Sequence, residues 1–279
     1  DWPYSEAKTA SSFLEWPRDA TIWRGAVGNR FQQTGTVANI HTSAGLEQAK
    51  TLLTNGYLLL FATDVYGWQF TNFANDPATT ADDTLAGRKV CSVVKANESG
   101  HAMTIVGFND DAWIDINKNG VVDSGEKGAF KIVNSWGLNW GVPQTTSVTT
   151  DGFAWIAYDA LRATSALTGG DNTNRASGNR TGFWYNEVYW ITARASYTPT
   201  LLGQFTVSHA KRNQLWIRLG RSLPTTTTPS LFFPAVSGED EPFKYLGGAF
   251  AFDGSTTATS SARGFSLWIR AWNLPRCPT

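Results

Sequence analysis

The sequence predicts an α+β protein in which a region of helices and strands is followed by a small all-β sandwich. Two helical patterns lie near the N-terminus, and apolar, β-branched runs of strand length follow them. Beyond residue 199 only short strand-like runs occur, separated by turn clusters, a spacing that is typical of a sandwich. A chain of 279 residues has room for both parts, and we expect domains at 1–195 and 196–279.

Two amphipathic helices are expected before residue 57. Pro17 suits a first helical position, so a helix is predicted over 18–30. Ser43 is predicted to cap the second helix, which Asn55 and Gly56 end. Their apolar stripes comprise Ile22, Trp23, Ala26 and Val27 in the first helix and Leu46, Ala49, Leu52 and Leu53 in the second.

The strands are expected where apolar and β-branched residues form short runs between turn residues. In the first region these runs are 57–63, 101–108, 129–133, 153–157 and 183–195. The polar, turn-rich segments 72–85 and 163–182 are predicted to be loops. In the second region the runs are 204–209, 215–219, 231–233, 248–252 and 265–271.

Composition excludes several classes of function. Lys and Arg together number 23 and Asp and Glu number 23, so we expect no nucleic-acid partner. No apolar run approaches the roughly 18 residues of a membrane span, so we expect no membrane partner. Thirteen Trp with abundant Thr, Ser and Gly suggest a secreted, β-rich protein. Because the chain begins at Asp1, we expect an upstream segment to have been removed or held elsewhere.

One of only three histidines begins a strand-like run, in the segment GHAMTIVGFNDD (100–111). Gly100 before it allows close approach to the backbone, and the segment KIVNSWGLNWG (131–141) follows. An imidazole that acts as base and then as acid needs one free ring nitrogen, while the other is held by an acceptor such as a carboxamide oxygen. The sequence therefore predicts a pair of His101 and Asn134, covered by the indole of Trp136.

These two segments, together with GFAWIAYDAL (152–161), resemble the His and Asn segments of the papain-like cysteine peptidases. The resemblance is closest to bacterial members with an added C-terminal β domain, and it covers about residues 1–195. It implies a partial papain-like peptidase domain, consisting of the β-barrel-rich half and a few helices. It also implies that His101 is the catalytic base, that Asn134 orients it and that Trp136 shields the pair. Gly100, Trp136 and Trp140 would then line the cleft that binds a protein or peptide substrate.

The nucleophilic cysteine of that family has no counterpart in this sequence. The family carries it in a Gly-Ser-Cys-Trp setting, whereas Cys91 stands in RKVCSVV (88–94) without such a turn. We expect Cys91 to be structural. It and Cys277 could pair with each other, pair with another segment or stay free. The resemblance thus implies a partner, namely an N-terminal Cys-bearing polypeptide from the same precursor.

Two other classes of function stay open. Without a nucleophile the chain could be a non-catalytic structural or binding protein, serving adhesion, a filament or an assembly. The second region could bind carbohydrate through an aromatic platform, although filling a core is the more usual role for such residues. The indoles concerned belong to Trp216, Trp268 and Trp272.

The segment DINKNGVVDSGE (115–126) matches the twelve-residue calcium loop. Gly120 allows the sharp turn at its centre, and strands rather than helices are expected on both sides. Hard oxygen ligands at this spacing suit a structural Ca²⁺. A surface loop that binds no metal is the alternative. The expected ligands are Asp115, Asn117, Asn119, the carbonyl of Val121, Asp123 and Glu126.

Overall fold

The computed structural model describes residues 20–80, 83–95, 99–143, 145, 147–162, 165, 167, 182–198, 202–207, 216–221, 225, 231–237 and 265–270. The chain divides into two compact units, residues 31–192 on the one hand and residues 1–30 with 193–279 on the other. The predicted division into 1–195 and 196–279 stays a prediction.

An eight-stranded mixed sheet forms most of the unit 31–192, and its strand order is β1-β8-β2-β5-β6-β7-β4-β3. β2 pairs antiparallel with β5 and β8, β3 with β4, and β6 with β5 and β7, whereas β4 and β7 pair in parallel. This confirms a sheet-rich α+β class. The strands are β1 (Phe31–Val37), β2 (Leu59–Asp64), β3 (Trp68–Asn72), β4 (Lys89–Val94), β5 (Gly100–Trp113), β6 (Lys127–Val133), β7 (Phe153–Ala157) and β8 (Val188–Ala193).

The strands that sequence patterning missed are those without a continuous apolar run. In β1 the segment FQQTGTV is largely exposed, and only Val37 is buried. Strands β3 and β4 pair with each other at one end of the sheet. By contrast, β7 spans Phe153–Ala157 as predicted, because four of its five residues are buried.

The helix α2 (Ser43–Thr54) confirms the second predicted helix, with one correction at its start. The N-cap is Thr42 rather than Ser43, and its hydroxyl accepts a hydrogen bond from the backbone N–H of Gly45 at 3.2 Å. Ser43 is the first helical residue. At the other end Gly56 adopts φ +83°, a conformation that glycine tolerates without strain, so the predicted stop is confirmed.

The described parts of the other unit comprise one helix and four strands. The helix α1 (Ala20–Val27) lies inside the predicted range 18–30. The strands are β9 (Leu202–Val207), β10 (Trp216–Arg221), β11 (Leu231–Ser237) and β12 (Phe265–Arg270). They form two antiparallel pairs, β10 with β11 and β9 with β12. The predicted strand 248–252 lies outside the described residues, and a sandwich stays a prediction.

Aromatic packing closes one end of the sheet beneath the candidate site. Phe61 of β2 stacks on Phe183 with ring centroids 4.0 Å apart, and it also faces Trp68. The indole N–H of Trp68 donates to the hydroxyl of Thr63, which donates in turn to the carbonyl of Gly182. These side chains are fully or almost fully buried. They hold the C-terminal end of β2 against the beginning of β5.

Candidate functional site: a histidine–asparagine pair at a sheet end

Antiparallel pairing brings His101 and Asn134 together. Thr104 of β5 lies opposite Val133 of β6, so residues before Thr104 and after Val133 meet at the same end of the sheet. The Nε2 atom of His101 lies 2.8 Å from Oδ1 of Asn134, a hydrogen-bond distance. The pairing predicted from the two sequence segments is therefore present.

This hydrogen bond defines the tautomer of the imidazole. A carboxamide oxygen only accepts, so Nε2 of His101 carries the proton and donates it. The lone pair then resides on Nδ1, which has no hydrogen-bond partner among the described side chains and backbone groups. Asn134 is 7% exposed, and its Nδ2 atom is likewise unpaired in the described part of the chain. The amide oxygen of Asn134 therefore orients the imidazole ring.

Aromatic side chains pack beside the pair. The ring of Trp136 lies 4.4 Å from the imidazole of His101, centroid to centroid. Behind it Trp140 meets Trp136 edge-on at 6.3 Å, while Tyr66 approaches Trp136 at 6.1 Å. Trp136 is half-buried and Tyr66 is exposed, so the rings cover the hydrogen bond on one side only. Trp136 lies against the imidazole, and its shielding role stays a prediction.

Trp140 is a buried support, with 3% of its surface exposed. Its indole N–H donates to the carbonyl of Gly152 at 3.1 Å, and the N–H of Gly152 donates to the carbonyl of Leu138. Gly137 and Gly152 adopt φ +91° and +82°, which lets the turn fold back on itself. Contact of Trp140 with a substrate stays a prediction.

Gly100 is a point of close approach between the sheet and an indole. A Cβ atom at this position would lie 2.5 Å from Cη2 of Trp184, which is below van der Waals contact. The backbone N–H of Trp184 is anchored to the carbonyl of Ala62 at 2.8 Å. Glycine at position 100 therefore admits Trp184 beside His101, and its contact with a substrate stays a prediction.

Three residues of this site were missed by sequence patterning. Tyr66 and Trp184 come from distant segments and meet the site only in the fold. The third is Asp64, which ends β2 opposite Gly100 and is fully buried. Neither of its carboxylate oxygens has a hydrogen-bond partner in the described part of the structure. The sequence feature that could have indicated Asp64 is its position as an acidic residue directly after an apolar run.

Cys91 is not placed to serve His101. It is fully buried in β4, and β6 and β7 separate that strand from β5. The thiol is free and contacts the carbonyl of Val93 at 3.3 Å. Burial raises the pKa of Cys91 far above its ordinary value, so the reactive thiolate is not formed. The structural role expected for Cys91 agrees with this burial, and Cys277 lies outside the described residues.

The segment after Trp140 links the site to an ion pair. The N–H of Val148 donates to the carbonyl of Trp140 at 2.9 Å. Nearby, the hydroxyl of Thr149 donates to Asp151, and Arg88 forms an ion pair with the same carboxylate. The Thr149 hydroxyl first, and then the Arg88 guanidinium, hold the pKa of Asp151 at about 2 despite its partial burial.

The loop 115–126 forms a tight turn whose polar side chains converge. Asp115 accepts from the backbone N–H groups of Asn119 and Gly120 at 3.0 and 3.1 Å. The carboxamides of Asn117 and Asn119 both donate to Oδ2 of Asp123, at 2.6 and 2.8 Å. Gly120 adopts φ +74°, as the sharp turn requires. The amide nitrogens of Asn117 and Asn119 thus face Asp123, while their oxygens accept from the backbone N–H groups of Asn119 and Val121.

Glu126 holds this loop together from inside. It is fully buried, and its Oε2 accepts from the indole of Trp113 and from the backbone N–H of Asp123, both at 3.0 Å. Its Oε1 accepts from the backbone N–H of Ile116 at 2.8 Å. Val121, expected to offer its carbonyl, has an exposed side chain. Glu126 therefore ties the two ends of the loop to each other in this structure.

The donor set fits a calcium ion in part. Side-chain oxygens at Asp115, Asn117, Asn119 and Asp123 are the hard ligands that Ca²⁺ takes. Like the carboxylate of Glu126, they already accept hydrogen bonds within the loop. In the described part of the chain no group of three or more His, Cys, Asp or Glu side chains could hold a metal ion. Calcium binding stays a prediction.

Comparison with known proteins adds no family assignment. No protein-family model matches the chain, and no curated protein matches it significantly. Across the described residues, no helix is both long and apolar enough to cross a bilayer. The class defined by fold and site is therefore a sheet-rich α+β protein with a hydrogen-bonded histidine–asparagine pair beside an indole.

Proposed function

We propose that this chain supplies the histidine and asparagine of a secreted papain-like cysteine endopeptidase. In this proposal the nucleophilic thiol comes from an N-terminal Cys-bearing polypeptide of the same precursor. The chain would be inactive without it, because a base and its orienting group cannot form an acyl-enzyme. The observation that carries the proposal is the 2.8 Å contact between His101 and Asn134 beneath the ring of Trp136.

The tautomer suits this chemistry. With Nε2 protonated and held by Asn134, the lone pair of Nδ1 is the atom available to take a thiol proton. The imidazolium so formed would stabilise the thiolate and later return the proton to the leaving amine. Water would then release the acyl group, with His101 again acting as base.

Electrostatic shielding supports the same assignment. The ring of Trp136 lies against the imidazole of His101, and the rings of Trp140 and Tyr66 pack against Trp136. A hydrogen bond in such an environment is stronger than one exposed to water, so the ring keeps its orientation through proton transfer.

We also propose that the loop 115–126 binds a structural Ca²⁺. Support comes from the match to the twelve-residue pattern and from the contacts of Asn117 and Asn119 with Asp123. Bound only by the folded protein, the ion would raise the unfolding midpoint. Melting should therefore begin at lower temperature in EDTA than in millimolar calcium, and identical curves would remove the calcium proposal.

The peptidase proposal is tested on the protein purified from its natural source and on its full-length precursor. Intact-mass analysis should reveal a co-purifying or contiguous Cys-bearing segment, and a peptidyl epoxide should alkylate that cysteine. In the precursor, H101A should lower the alkylation rate at least about a hundredfold, the usual contribution of a general base. The matched control is H41A, which replaces a histidine of the turn before α2 and should leave the rate unchanged.

The two classes of function are separated by the same measurements. A Cys-bearing segment that reacts in a His101-dependent manner supports the peptidase. If neither such a segment nor any alkylation is found, the proposal fails. The chain would then be assigned to the non-catalytic binding or structural class.

A further inference from the structure

Large apolar side chains are exposed on one face of the neighbouring strands β2 and β8. Leu60 lies directly opposite Tyr189, so the two side chains project from the same face of the sheet. Leu58 and Ile191 each lie two residues further along in this register, and alternate residues of a strand share a face. Between 40% and 57% of the surface of these four residues is exposed. We call the surface formed by Leu58, Leu60, Tyr189 and Ile191 the outer face.

The residues between these four point the other way, into the core. Leu59, Phe61 and Val188 are fully or almost fully buried, and the ring of Trp190 meets that of Tyr57 edge-on at 5.2 Å. Both faces of β2 (LLFATD) and β8 (VYWITA) therefore carry apolar residues. An antiparallel strand with one face in water alternates apolar and polar residues, whereas a continuous apolar run is typical of strands that are covered on both faces. The sequence of these two strands thus indicates that the outer face is covered in the functional protein.

The outer face continues to the end of the sheet at which His101 lies. Beyond Leu60 on the same face comes Ala62, which lies opposite Ala102, and Ala102 is the next residue after His101 in β5. Ala102 is exposed and Ala62 is half-buried. Both side chains are small, so they leave room for a polypeptide that packs on the outer face and extends to this end of the sheet.

The outer face is large enough to form the centre of an interface. Its four residues together expose on the order of 350 Å², which is within the range of the largest apolar patches on monomeric proteins. A stable interface buries about 800 Å² on each partner, with an apolar centre and a polar rim. Thr104 lies opposite Leu60 and Val133 lies opposite Thr104, so these two half-buried residues extend the same face toward β6.

We propose that the outer face is the docking surface of the Cys-bearing N-terminal polypeptide. This inference rests on the proposed function, in which a thiol of that polypeptide must come within hydrogen-bond reach of Nδ1 of His101. The polypeptide that carries the thiol must therefore lie against the end of the sheet where His101 stands, and the outer face leads to that end. A second copy of this chain would also cover the apolar residues, but the cysteine that the structure describes in it, Cys91, is fully buried.

A photoreactive side chain on the outer face tests the contact directly. In the full-length precursor, p-benzoylphenylalanine at position 60 or 191 should cross-link on irradiation to the Cys-bearing polypeptide, which peptide mass spectrometry identifies. The same side chain at position 48, an exposed position on α2, should give no such product. Cross-links from positions 60 and 191 only to a second copy or to other parts of this chain, or no cross-links at all, overturn the proposal.

A charge on the outer face tests whether burial of this surface holds the polypeptide in place. In the precursor, I191D should lower the rate at which a peptidyl epoxide alkylates the cysteine by about tenfold or more, because docking would bury an unpaired carboxylate. Q48D on α2 is the matched control and should leave the rate unchanged. Circular dichroism establishes that both variants are folded, and the cross-links decide if I191D is not. Equal rates in the two folded variants overturn the proposal.

The docking surface and the peptidase proposal fail in different ways. If no Cys-bearing segment is found, or if its alkylation does not depend on His101, the peptidase proposal fails and the docking surface fails with it. If the cysteine reacts in a His101-dependent manner, but its polypeptide neither cross-links to position 60 or 191 nor responds to I191D, only the docking surface is overturned.

Discussion

Replacing Glu126 with Gln should destabilise the protein markedly, although the side chains have nearly the same shape. The carboxylate accepts from the indole of Trp113 and the N–H of Asp123 on one oxygen, and from the N–H of Ile116 on the other. A carboxamide has only one accepting oxygen, and its NH₂ group would face donors. Whichever way the amide turns, at least one buried N–H group loses its acceptor.

The magnitude follows from that count. A buried donor left unpaired costs about 1–3 kcal/mol, and hydrogen bonds to a charged acceptor are worth more than those to a neutral one. Together these losses amount to about 2–5 kcal/mol, or a fall of about 5–15 °C in the unfolding midpoint. Calorimetry at pH 7 measures it, with E47Q as control because Glu47 is exposed on α2.

The same variant separates two roles of Glu126. If Glu126 only joins the two ends of the loop, E126Q should lower the free energy of unfolding by the same amount in EDTA and in millimolar calcium. If Glu126 is a bidentate calcium ligand, E126Q should lower the free energy of unfolding by a larger amount when calcium is present. A midpoint for E126Q within a degree of the wild type in both conditions would refute the reasoning from its hydrogen bonds.

Three further outcomes are expected. N134A should lower the free energy of unfolding by about 1–2 kcal/mol, because Nε2–H of His101 loses its acceptor, and a wild-type denaturant curve would contradict this. G100A should lower the free energy of unfolding by about 1–3 kcal/mol by displacing Trp184. G107A in the same strand is the control and should leave stability nearly unchanged, because a Cβ there would meet only Cβ of Lys131 at 3.9 Å. Because the pKa of Asp151 is depressed to about 2, its contribution is present above pH 4 and is lost as the pH falls toward 2. Since this carboxylate is partly exposed, D151N should remove less than about 1 kcal/mol at pH 7 and almost nothing at pH 2, as acid titration of both proteins would establish.

The local elements followed well from sequence wherever one rule dominated. In α2 the apolar spacing and the Gly56 stop determine the helix, and the boundary error at Ser43 is a single residue. In β7 burial on nearly every residue produces an uninterrupted apolar run. In β1 tertiary pairing with β8 outweighs a mostly polar composition, so no pattern indicated it.

Some residues of the candidate site could likewise be predicted from sequence, and others could not. His101 and Asn134 were found because each stands at the end of a strand-like run with a distinctive neighbour. Tyr66 and Trp184 could not be found, because their contacts with Trp136 and Gly100 join segments far apart in the chain. Glu126 was assigned as a metal ligand from spacing alone, while its engagement by Trp113 depends on the burial of that loop.

By itself, the sequence determined which side chains have the chemistry to act together: an imidazole, a carboxamide and an indole at recognisable positions. Local spacing and residue type suffice for that, since they set donors, acceptors and turn geometry. Only the tertiary structure decided which nitrogen of His101 is held and which is free. It also decided that two strands, β6 and β7, lie between the strand of Cys91 and the strand of His101. Those outcomes depend on strand order and register, which are set by burial over the whole sheet rather than by neighbours in the chain.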